Sequence, residues 1–220
     1  MSLRGPVRAV AISHKNQPKL LLDSTRTIGS TQNTTSGRPK TTSAGVLSSW
    51  YALRATYSRE LKVQKLLNER GVRTFVPMMW KKRTINGKEE KKLVPAVSNL
   101  CFAYATKAEL DEFIRSFGDS PIAQFYWDRT ASRPLTVPEK SMEDFITVAS
   151  SLDEDLIYLT EISEKLREGQ LVEVVEGPFK GVKGKIVRIK KNRRVLVELP
   201  GFLAVSTNYL HPQSLVPVTE

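Results

Sequence analysis

Two hundred and twenty residues, 24.7 kDa and a 40% apolar share leave room for one or two domains with a genuine core. Thirty-four Lys and Arg against 23 Asp and Glu give a formal net charge of +11, which points to a polyanionic or acidic partner. One cysteine and two distant histidines, His14 and His211, exclude an internal disulfide framework and leave little for a metal site, and no apolar run approaches the ~18 residues of a bilayer span. The segment Val7–Ile12 is short and carries Arg8, so it does not read as a secretory h-region, and a cytoplasmic protein is expected.

The charge is unevenly placed. Residues 1–48 hold 7 basic and 1 acidic residue, residues 49–165 hold 18 and 17, and residues 166–220 hold 9 and 5. The excess therefore sits in an N-terminal tail and a C-terminal piece. Residues 28–45, Ser/Thr-rich and without aromatics, cannot bury enough apolar surface to offset ordering entropy. Residues 1–48 are expected to be a disordered basic tail.

A folded domain is expected over 49–150. Ser49–Ala55 reads as a strand. Ser58 is the expected N-cap of a helix over 59–70, with Leu61, Val63, Leu66 and Leu67 on its apolar face and Gly71 just past its end. Val72–Pro77 is a second strand. Trp80–Lys92 centres on Asn86-Gly87, a hairpin signal, and carries Lys81, Lys82, Arg83 and Lys88. A solvated hairpin and a nucleic-acid-facing one both fit.

Asn99–Ala105 is the most informative strand. Alternation puts Leu100, Phe102 and Tyr104 on one face and Cys101, Ala103 and Ala105 on the other. The large face is either core or a docking surface. Cys101 is a poor nucleophile candidate, since an apolar strand raises a thiol's pKa. A helix over 107–117, a strand over 122–127 and a helix over 139–149 follow. This order predicts an α+β fold, a ferredoxin-like antiparallel sheet sandwich with helices on one face and the other face free to bind.

Residues 151–168 read as a linker, partly helical, and 169–220 as a small SH3-like β-barrel of five short strands. Gly177, Pro178, Phe179 and Gly181 form its first turn, with Phe179 either a plug or a partner contact. Gly184 marks a bulge or a close backbone approach. Lys190, Lys191, Arg193 and Arg194 form a basic loop suited to phosphate, or a solvated turn. Gly184-Lys185 is not a P-loop, because Phe179 and Ile186 stand where glycine and Ser or Thr are needed. No nucleophile–base pair is visible, so neither an enzyme nor a cofactor is expected.

Ser49-Trp50-Tyr51-Ala52-Leu53-Arg54, the helix ending at Gly71, and Phe75-Val76-Pro77 resemble the opening of the NusG N-terminal domain. Val172–Ile189, with Glu176-Gly177-Pro178-Phe179-Lys180-Gly181, resembles the KOW motif. Val76-Pro77-Met78-Met79 and Leu135-Thr136-Val137-Pro138 resemble the specialised RfaH and UpxY branches, whose UpxY members antiterminate capsular polysaccharide operons. The resemblance implies a monomeric, noncatalytic transcription elongation and antitermination factor that docks on the clamp coiled coil of RNA polymerase. It places Leu100 and Phe102 among the docking residues, and alternation adds Tyr104, Tyr126 and Arg54. Further partners it implies are nascent RNA or non-template DNA, and a ribosomal protein or termination factor at the barrel. Val97-Ser98-Asn99-Leu100 departs from the family's Phe-Pro-x-Tyr pattern, and nothing matches the His-Thr-Thr element. The alternative reading is a ribosome-associated or RNA-binding KOW protein acting in translation.

Overall fold

The computed structural model describes residues 47–85, 88–128, 130–160, 169–189, 191–199 and 202–218. The basic segment 1–48 lies outside them but for Leu47 and Ser48, as do Asn86, Gly87, Lys190 and residues 161–168. Within Thr41–Glu220, the described residues form one compact unit.

Strand β1 (Ser49–Ala55) leads through a 3-10 turn at Thr56–Ser58 into helix α1 (Glu60–Glu69). The expected N-cap does not form. Ser58 has φ 51°, Arg59 occupies the cap, and the Ser58 N–H donates to Asn99 Oδ1 at 2.9 Å. The buried stripe of α1 is Glu60, Val63 and Leu67, with Leu66 partly buried beside it, so of the expected apolar face only Leu61 falls outside, exposed to solvent. Gly71 ends the helix as expected, at φ 77°, with its N–H on the Asn68 carbonyl at 2.9 Å.

Strands β2 (Arg73–Phe75), β3 (Met78–Ile85), β4 (Lys88–Pro95) and β5 (Leu100–Ala105) follow. Strands β3 and β4 pair from Met78↔Pro95 to Ile85↔Lys88 as a separate two-stranded ribbon. Helix α2 (Lys107–Arg115) starts with a capping box, in which Thr106 and Glu109 satisfy each other's backbone N–H groups. Then come β6 (Ala123–Phe125), the short pair β7 (Trp127–Asp128) and β8 (Arg133–Pro134), β9 (Thr136–Val137) and α3 (Glu139–Ala149).

The central sheet runs β2-β5-β1-β6, antiparallel throughout, with β9 also paired to β1. Helices α1 and α2 pack on its small-residue face, against Leu53, Cys101, Ala103 and Ala105. Burial by this layer pushes the Cys101 thiol up to about 12, with the Glu60 carboxylate adding to the shift. The ferredoxin-like sandwich is as expected, but its other face is not free. Helix α3 lies across it, with Met142, Phe145 and Val148 against Trp50, Ala52, Leu100 and Phe102.

Strand β10 (Ile157–Leu159) arises inside the segment read as linker. It joins the sheet of the barrel strands β11 (Leu171–Val174), β12 (Lys183–Ile189), β13 (Asn192–Leu199), β14 (Leu203–Ser206) and β15 (Leu215–Pro217), pairing with β14. Their order is β10-β14-β13-β12-β11-β15. Strand β12 carries Gly184 because a Cβ there would stand 2.5 Å from the Leu196 carbonyl oxygen and 2.7 Å from Val195 Cγ1. The barrel closes against α3, which contacts β1 on one side and β13 and β14 on the other. One apolar core therefore runs from the sheet through α3 into the barrel.

Candidate functional site

The five residues expected at a docking surface fall on one sheet face and in the segment beside it, between β6 and β7. Alternation along β1 sends Trp50, Ala52 and Arg54 to the side on which β5 presents Leu100, Phe102 and Tyr104. Tyr126 joins them because its N–H donates to the Ala52 carbonyl at 3.0 Å, next to β1. Their accessibility differs sharply. Leu100 is 1% and Phe102 0% exposed, Tyr104 and Tyr126 are half-buried, and Arg54 is exposed.

Aromatic packing explains the covering. The Phe102 ring lies 6.0 Å from Phe145 of α3 and 6.0 Å from Phe202, in the turn between β13 and β14. Phe202 also stacks on Tyr126, 5.9 Å away at 29°. One barrel side chain thus spans two of the candidate docking residues. Beside them, the Arg73 guanidinium sits 4.4 Å from the Tyr104 ring and 4.9 Å from Trp50, and reaches Glu139 at the start of α3 at 3.6 Å.

The segment 151–160 fastens the arrangement. The Lys91 ammonium meets Glu154 at 2.5 Å, and the Tyr158 hydroxyl donates to the Met78 carbonyl at 3.3 Å. Burial pushes the Tyr158 phenol up to about 12. Arg194 Nη1 donates to the carbonyls of Asp155 and Thr207, both at 2.7 Å. Arg194 is therefore 6% exposed, a tie between β10's approach and the barrel, not the surface phosphate contact expected of it. Its neighbours differ. Lys191 is exposed at φ 68° and Arg193 is half-buried, whereas Lys190 lies outside the described residues.

At the open end of the face is a cavity of about 380 Å³, lined by Arg54, Thr56, Tyr57, Ser58, Asn99 and Gln124. Three non-glycine residues around it take positive φ: Tyr57 at 55°, Ser58 at 51° and Asn99 at 61°. The buried Glu60 carboxylate accepts the Asn99 N–H, which locks the two segments together. Tyr57 is held 87% exposed, with the Arg59 guanidinium 5.1 Å from its ring. Strain of this kind persists only where the surroundings over-determine it. Tyr57 and Asn99 were not singled out from the sequence. The weak cue available was Asn, a residue that tolerates left-handed backbone, at the entrance to β5.

In the barrel turn, Gly177 and Gly181 take φ 82° and 85°, and Phe179 is 2% exposed inside the barrel. Of the two readings of Phe179, the plug is the observed one. On the ribbon, Lys81, Lys82, Arg83 and Lys88 are exposed. Among the described residues, no group of three metal-ligating side chains comes together, and no helix is long and apolar enough to cross a membrane.

Two family comparisons bear on this arrangement. Residues 48–146 match the family described as "NusG: Transcription termination factor nusG", and residues 168–198 match the KOW motif. The chain thus carries a region similar to the NusG family followed by one similar to the KOW motif. Its NusG match covers the sheet with α1, α2 and most of α3, and its KOW match covers β11, β12 and nearly all of β13. A solved chain described as "Domain interaction in Thermotoga maritima NusG" is 18% identical, with 78% of this chain and 98% of that chain covered and a TM-score of 0.41. The search of curated proteins found no match.

Proposed function

We propose that this chain is a NusG-type, noncatalytic transcription elongation and antitermination factor that docks on the clamp coiled coil of RNA polymerase. The observation that carries the reading is the succession, in one chain, of a NusG match over 48–146 and a KOW match over 168–198. The docking surface is the sheet face of Leu100, Phe102, Tyr104, Tyr126 and Arg54. In finer detail, we assign it to the operon-specialised RfaH/UpxY kind, suppressing pausing or termination on capsular polysaccharide operons. The support for that is the resemblance at Val76–Met79 and Leu135–Pro138. It acts in the cytoplasm as a monomer, with the barrel offered to a ribosomal protein or termination factor.

The covered face sets a condition on this function. Phe102 has no surface to offer while Phe202 stands on it. Docking starts at exposed Arg54 and half-buried Tyr126, and is completed when the barrel leaves and uncovers the apolar centre. The barrel's departure costs free energy that the polymerase contact must exceed.

The test is a pull-down of core RNA polymerase at moderate salt. Wild type is compared with Arg54→Glu/Tyr126→Ala, which leaves Leu100 and Phe102 in place, and with Phe202→Ala. Binding by wild type, stronger binding by Phe202→Ala and loss in the double variant are expected. Equal retention by a folded double variant sinks the face assignment. No binding by either wild type or Phe202→Ala sinks polymerase docking and favours the alternative, an RNA-binding barrel acting in translation.

A further inference from the structure

The β3–β4 ribbon holds an electrostatic arrangement that the fold does not explain. Two successive rungs pair like with like: Lys81 faces Lys92, and Lys82 faces Lys91. Like charges directly opposite each other destabilise a strand pair. Alternation puts the two rungs on opposite faces of the ribbon.

The protein treats the faces differently. On the face of Lys82 and Lys91, the fold supplies a counter-charge, because Glu154 reaches Lys91. Trp80 also belongs to that face by alternation. On the face of Lys81 and Lys92, which also carries Arg83 and Lys88, none of the four cations is in an ion pair among the described residues. Glu90, opposite Arg83, is the one acidic residue there. All four cations are exposed.

We infer that the Lys81/Lys92 face of the ribbon is a contact for duplex DNA, whose phosphates supply the missing counter-charge. The nature of the face selects a duplex. Single-strand sites combine cations with aromatic rings on which unstacked bases pile. This face pairs its cations with Met79 and Val94 and holds no aromatic, while the bases of a duplex are already stacked. A two-stranded antiparallel ribbon also fits the major groove of B-DNA, about 12 Å wide. The deep, narrow major groove of duplex RNA does not admit it. The inference is independent of polymerase docking, since the ribbon forms a sheet of its own apart from the docking face.

Fluorescence anisotropy of the full chain with a labelled 20–30 base-pair DNA duplex (about two to three helical turns), without polymerase, tests it. The chain is titrated over a range of salt concentrations, beside the matching single strand and duplex RNA. Lys81→Gln/Lys92→Gln should weaken duplex binding about tenfold, and the slope of log K against log salt should shrink by about 1.8, the loss of two phosphate contacts. Lys82→Gln should leave the slope unchanged. The double variant should melt at or above the wild-type temperature, because a repulsive rung is gone. Lys81→Arg/Lys92→Arg should bind like wild type, so that a loss caused by altered ribbon structure is told apart from lost charge. An unchanged slope in the Gln pair overturns the inference. So does an equal effect of Lys82→Gln, failure of the Arg pair to bind, or tighter binding of the single strand or duplex RNA.

Discussion

Replacing Phe202 by alanine should uncouple the barrel from the sheet. Phe202 is half-buried, and its ring meets Phe102 at 6.0 Å and Tyr126 at 5.9 Å. Half the burial of a Phe side chain stabilises by about 1 kcal/mol, and two aromatic pairs add about 2 more. A loss of about 3 kcal/mol shifts the closed-to-open ratio roughly a hundredfold. All three tryptophans, Trp50, Trp80 and Trp127, precede the barrel. Tryptophan fluorescence during urea unfolding therefore follows the N-terminal domain alone, while far-UV circular dichroism follows the whole chain. In wild type the two transitions should coincide, because one core joins the parts. In Phe202→Ala they should separate. Coincident transitions at an unchanged midpoint would refute the claim that this side chain holds the barrel on the sheet.

Further outcomes test other parts of the argument. Gly184→Ala should push β12 away from β13 and lower barrel stability by about 2 kcal/mol, read by thermal melting, since its Cβ would stand 2.5 Å from the Leu196 carbonyl oxygen. Arg194→Ala should cost about 3 kcal/mol in urea unfolding by stranding the carbonyls of Asp155 and Thr207, whereas Lys191→Gln, at an exposed site, should cost almost nothing. Cys101, held up to about 12 by burial, should resist alkylation at pH 8 in the native protein and react once it is unfolded. Its thiol ionises more readily in the unfolded chain, near 9.0. Stability is therefore fully present below pH 9 and falls as pH rises toward 12, with Tyr158 acting in the same direction from 10.0 upward.

What could be read from the sequence was what neighbours along the chain decide. Helix α3 lies at the expected 139–149 because Met142, Phe145 and Ile146 repeat at helical spacing. The two faces of β5 separate as period-two alternation requires. The misreadings lie where distant residues decide. Leu61, expected on the apolar face of α1, is exposed because the sheet, not the local pattern, selects the inner stripe of that helix. Ser58 lost its cap to a bond with Asn99, 41 residues away. The covering of Phe102 depends on Phe202, 100 residues further on, in a turn whose own sequence announces no partner. Arg194 belongs to a basic run, but its strand position turns it inward.

Strand β10 has a practical consequence. It occupies the outer edge of β14, whose four residues, Leu203-Ala204-Val205-Ser206, are all buried. That strand carries neither a proline nor a charged residue to discourage a neighbour. A fragment beginning at residue 169 would contain every barrel strand except this cover. It would present an open, uncharged template with unpaired N–H and C=O groups, on which a second copy could add as the missing strand. A fragment beginning near Leu152 keeps the cover, and with it the Asp153–Asn208 and Asp155–Arg194 ties. The short stretch before the KOW motif is thus the barrel's own guard against sticking to itself.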